Sequence, residues 1–129
     1  AVVHRADAAI ARGVAFDVDA EVAADGVSEW LDLLTARPTP EAGPALPEGA
    51  TLHLHATDDG LGADGEWLLR GEDGRVAWEH GHGKGVAAVR GSAAALLQAV
   101  MGRIPADDPR LEVLGDAQAW RTWVDRTPF

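Results

Sequence analysis

Two hydrophobic periods divide this chain. Up to residue 34 the apolar residues recur at helical spacing, and from Thr51 onward they alternate with polar ones. Residues 1–12 are rich in helix-favouring Ala8, Ala9 and Ala11 and run into Gly13, so a first helix is expected there. Val14 to Asp17 is a short connection. Asp19 then reads as the N-cap of a second helix whose stripe is Val22, Val27, Trp30, Leu31 and Leu34. Gly26 interrupts that stripe and predicts a bend or break. Residues 38–50 hold four of the seven prolines, which makes them a linker or long loop and the best place for a structural boundary.

The alternating part predicts strands over 51–57, 66–70, 75–80 and 86–90, separated by turns rich in Asp and Gly. Ser92 caps a helix over 93–101 that ends at Gly102. A short strand follows over 111–114. Asp116 then caps a terminal helix anchored by Trp120, Trp123 and Val124. Strands that follow one another with few crossovers give an α+β domain: a mostly antiparallel sheet of about five strands with helices packed on one face. The core is expected to contain Trp30, Leu31, Leu54, Trp67, Leu69, Val89, Leu97, Val100 and Trp120.

Composition narrows the chemistry. A length of 129 residues allows one domain with a modest core. Net charge is −10 and Lys84 is the only lysine, so there is no basic stripe for nucleic acid and no attraction to anionic membranes. With no Cys there can be no disulfide, thiolate metal site or Cys nucleophile. Residues 1–15 hold no signal-type apolar run, so the cytoplasm is the expected location. The chain opens without Met, inside helical sequence, as a piece of something longer would.

Several groups invite a functional reading. His53 and His55 share one strand face, about 7 Å apart. Such a pair can chelate, but no carboxylate is adjacent in sequence, and an exposed or half-exposed outer face accounts for it better. Gly81-His82-Gly83-Lys84-Gly85 could cradle an anion through backbone N–H groups or be a plain turn. Asp58, Asp59 and Asp64 lack the ligand order of a calcium loop and read as an acidic turn. The five Trp suit core packing, or an aromatic ligand cavity. Ser28 and Ser92 sit in helical contexts and offer no Ser-His-Asp arrangement.

Some stretches carry a family pattern. They are Leu52-His53-Leu54-His55-Ala56-Thr57-Asp58, Gly65-Glu66-Trp67-Leu68-Leu69-Arg70, His82-Gly83-Lys84, Val89-Arg90-Gly91, Gly102-Arg103 and Leu111-Glu112-Val113-Leu114-Gly115-Asp116. Together they resemble the C-terminal domain of mycothiol-dependent maleylpyruvate isomerases and their actinobacterial relatives, which is similar to the sterol-carrier-protein fold. Val3-His4-Arg5-Ala6-Asp7-Ala8 resembles the end of that family's DinB-like N-terminal bundle. Residues 1–13 would then be the last helix of a missing bundle, and 14–129 the C-terminal domain with its Pro-rich loop at 38–50.

The resemblance implies a divalent metal, usually zinc, held by a Glu and a His four residues apart plus a second His from an earlier helix. His4 matches the first His, Asp7 matches an Asp near the active site, and the partner ligands lie outside this chain. It also implies an Arg from this domain, Arg103 or alternatively Arg90, directed at a carboxylate-bearing substrate. Mycothiol would supply a thiolate that adds to a cis double bond, allows rotation and leaves. The metal and mycothiol belong to the whole parent protein, and none is expected on this chain alone. Three functions compete: an accessory domain of such an isomerase or transferase, a sterol-carrier-type module for hydrophobic small ligands, and a structural domain that forms a homodimer.

Overall fold

The computed structural model describes residues 19–37 and 39–128. It contains helices α1 (Ala20–Thr35), α2 (Ala93–Val100) and α3 (Ala117–Arg126). Its strands are β1 (Thr51–Ala56), β2 (Glu66–Glu72), β3 (Arg75–His80), β4 (Ala87–Gly91) and β5 (Glu112–Gly115). A short 3-10 turn over Gly62–Gly65 lies between β1 and β2. The predicted first helix, with His4 and Asp7, falls outside the described residues.

Side-chain chemistry at the helix starts explains where the helices begin. Asp19 accepts from the Glu21 amide, Ser92 from the Ala95 amide, and Asp116 from the Gln118 and Ala119 amides. Asp58 adds a second acceptor at α2, taking the Ala93 amide at 2.6 Å. Replacing Ser92 with Ala should cost about 1 kcal/mol in a urea melt, less if Asp58 compensates. No break occurs near Gly26: α1 is continuous and Gly26 is buried within it. Packing against α2 and β3 outweighs the weak helix propensity of a single glycine.

The sheet order is β3-β2-β1-β4-β5. β1 and β4 run parallel and the other pairs antiparallel. Period-2 alternation sends Leu52, Leu54, Trp67, Leu69, Ala87 and Val89 to the helical side, where each is at most 1% exposed. Trp30, Trp67, Trp120 and Trp123 fill the space between the layers, joined by Leu31, Leu97 and Val100. Trp78 shares that side, next to Leu69 in register, and donates to Asp32.

The Pro-rich loop is no boundary, because the elements on either side of it share one core. It straps the end of β2 just beyond its ladder with β1: Ala45 and Leu46 are buried, and the Gly49 amide donates to the Gly71 carbonyl. Gly71 permits the strap, since a Cβ there would lie 2.2 Å from the Pro47 carbonyl oxygen. No helix among the described residues is long and apolar enough to cross a membrane.

Candidate functional site

Among the described residues the helices lie on one side of the sheet, and its other face carries His53, His55, Glu66, Leu68, Arg70, Glu79, Ala88, Arg90, Glu112 and Leu114. The loop after β3 folds back over part of it. The Thr51 hydroxyl donates to the Lys84 carbonyl, and the Val86 amide donates to the Thr51 carbonyl. Gly85 makes the close approach possible, because a Cβ there would meet the Ala87 and Thr51 carbonyl oxygens at 2.7 and 2.8 Å. Gly83 lies against the Leu68 side chain in the same way.

This loop carries His82 onto the sheet. Glu66 Oε1 accepts from His53 Nε2 at 3.1 Å and from His82 Nδ1 at 2.8 Å. The rings of His53 and His82 meet edge to face at 5.0 Å, and His55 lies 5.7 Å from His53. The exposed or half-exposed outer face expected for His53 and His55 holds for half-buried His55 and is corrected at His53. His53 is only 5% exposed, and a carboxylate distant in sequence reaches it because His55 pairs with Glu66 in the β1–β2 register. That hairpin register was the available signal. His80 is bound elsewhere, through Nδ1 to the Glu66 carbonyl.

Beside the cluster is a cleft of about 590 Å³ lined by His53, His55, His82, Lys84, Ala88 and Arg90, among others. Glu66 adjoins that lining through its hydrogen bonds to His53 and His82, and Glu112 through its contact with Arg90. Arg90 pairs at 3.5 Å with exposed Glu112, a contact too solvated to hold it firmly. The two arginine candidates thus separate: Arg90 lines this cleft, while Arg103 lies in the turn that ends α2, its amide bonded to the Gln98 carbonyl. The acidic turn also finds a structural use, since Asp58 caps α2.

Burial lowers the His53 pKa from the ordinary value of 6.5, against the upward pull of the Glu66 charge and hydrogen bond. The hydrogen bond from His82 leads the causes that hold the Glu66 carboxyl below its usual 4.5. Folded His53 therefore binds its proton more weakly than the unfolded chain does. Its contribution to stability is full above about pH 6.5 and is lost as pH falls through the lower folded value. Glu66 acts in the same direction further down. The thermal midpoint should drop as pH falls below about 6.5, and His53→Gln should flatten that drop. A midpoint that rises on acidification would contradict this environment for His53.

Comparison with known proteins places this architecture. The family profile described as the MDMPI C-terminal domain matches residues 21–122. No curated protein matches the chain. Among solved structures, a UbiJ-SCP2 ubiquinone synthesis protein is similar at 18% identity and TM-score 0.58, covering 82% of this chain and 93% of that one. A sterol carrier protein 2 is similar at 16% identity and TM-score 0.50, with the same coverage. The sec-alkylsulfatase Pisa1 from Pseudomonas sp. gives 15% identity and TM-score 0.58 over 76% of this chain, which spans only 16% of the sulfatase. At these identities the likeness concerns the fold alone.

Proposed function

The chain belongs to the MDMPI C-terminal domain family, and from that membership we propose that it is the accessory domain of a metal- and thiol-using isomerase or transferase resembling maleylpyruvate isomerase. In this reading residues 1–13 close a helical bundle that carries the metal, with His4 among its ligands and Asp7 nearby. The present domain covers that centre with the sheet face opposite α1, α2 and α3. Zinc in the bundle would supply a Lewis-acid position that holds the thiol of mycothiol as thiolate. Arg90 then binds and orients a substrate carboxylate, and the lining of Lys84 and imidazoles keeps the wall favourable to anions.

The supporting observation is the charge of the cleft. In a chain of net charge −10, Arg90 and Lys84 line one depression together with three histidines, two of which are bonded to Glu66. The test is an isomerisation assay of the whole gene product on maleylpyruvate with and without mycothiol. Turnover is expected only with the thiol, and removal of residues 19–129 should abolish it while the bundle keeps its metal. No thiol-dependent turnover in the whole product would remove the isomerase chemistry and favour the structural, dimerising role.

One observation favours a second reading, a module for hydrophobic small ligands. A cleft of about 430 Å³ at the far end of the helical layer is lined by Leu34, Pro40, Ala45, Val76, Arg37 and Arg126, among others. A fluorescent fatty-acyl probe that binds this chain, and is excluded by Val76→Trp, would support it.

A further inference from the structure

We propose that His53, Glu66 and His82 form a site for a divalent first-row transition ion of the Zn2+ type, carried by this domain itself and separate from the bundle ligand His4. The geometry of these three side chains defines the site, independently of the isomerase reading.

Their donor atoms converge. Glu66 Oε1 lies 3.1 Å from His53 Nε2 and 2.8 Å from His82 Nδ1, and all three ligand atoms fall within 4.8 Å of one another. Around a tetrahedral ion with bonds of about 2.0–2.2 Å, neighbouring donors lie about 3.3 Å apart, so small side-chain adjustments suffice. His53 and Glu66 sit on paired strands β1 and β2, which fix two of the three ligands. His82 sits on the loop that Thr51 pins at Lys84 and Val86.

The donor set selects the ion. Two imidazoles and one carboxylate suit Zn2+ and its first-row neighbours, whereas Ca2+ and Mg2+ require oxygen-rich shells. As hydrogen bonds, the two facing nitrogens each present a proton to Glu66. With an ion bound, a neutral imidazole moves that proton to its other ring nitrogen, and an imidazolium releases it. Affinity therefore rises with pH. Three protein ligands leave a further position, which water or a small anion fills from the cleft beside Lys84 and Arg90.

The test is calorimetric titration of the whole chain with Zn2+, repeated with Mg2+, plus the visible spectrum of the Co2+ form. We expect one equivalent of Zn2+ bound, no competition from Mg2+, and Co2+ bands of a four-coordinate site. His82→Ala and Glu66→Gln should each weaken Zn2+ binding at least about tenfold and abolish the Co2+ bands. His4→Ala and His80→Ala should leave both readings unchanged. The His82 side chain is 78% exposed, so His82→Ala keeps the fold and decides the matter even if Glu66→Gln unfolds. Absence of saturable binding, binding that survives His82→Ala, or binding that follows His4 or His80 would overturn the proposal.

Discussion

Trp67→Ala is expected to remove about 3–5 kcal/mol of stability, a large share of what a domain of this size possesses. Trp67 is fully buried and lies opposite Leu54 at the centre of the sheet. Its indole N–H donates to the Ser28 hydroxyl at 3.0 Å, which ties β2 to α1. Truncation loses the transfer energy of the indole, opens a cavity against α1 and leaves Ser28 without its partner. Trp67→Phe should cost much less, since it keeps most of the apolar contact. Urea denaturation of both variants measures this. A loss below about 1 kcal/mol for Trp67→Ala would mean that the core does not centre on Trp67.

In the whole gene product, Arg90→Ala is expected to lower kcat/KM for a carboxylate-bearing substrate by roughly tenfold to a hundredfold. That corresponds to the 1.5–3 kcal/mol carried by a hydrogen bond to a charged group. Arg103→Ala, in the turn after α2, should stay near wild type. Because Arg90 is exposed and only loosely paired with Glu112, its removal should leave the unfolding midpoint almost unchanged, which separates substrate binding from stability. Arg90→Lys should recover only part of the loss, because an ammonium cannot make the bidentate fork. Equal effects from Arg90→Ala and Arg103→Ala would remove the distinction drawn from the cleft.

Local chemistry was legible in the sequence. Alternation between turn residues located all five strands, and the acceptors Asp19, Ser92 and Asp116 each sit at the predicted helix start. Every residue named for the core is buried, because period sets which side of a strand or helix faces inward, but Val22 of the expected helical stripe is exposed where nothing among the described residues packs on the first turns of α1 at that angle. What depends on pairing between distant segments was not legible. The parallel β1–β4 contact follows from a crossover that the strand pattern does not encode.

The same limit concealed the cluster. His53 looks exposed when only its own strand is considered. Its burial comes from the loop over 81–86, and its carboxylate partner comes through the register that sets His55 beside Glu66. The Pro-rich loop misled in the other direction. Its composition suggests a separation, yet Ala45 and Leu46 pack into the core and the backbone around Gly49 bonds to β2.

The central claim is that the sheet face opposite α1, α2 and α3 is where this domain meets the proposed bundle. Amide hydrogen exchange tests it most directly, comparing the whole gene product with the present chain. Slower exchange is predicted over the loop 81–86 and the edge strand β5 in the whole product, with α1 and α3 unchanged. Protection that appeared on α1 and α3 instead, with 81–86 exchanging equally fast in both proteins, would contradict the account.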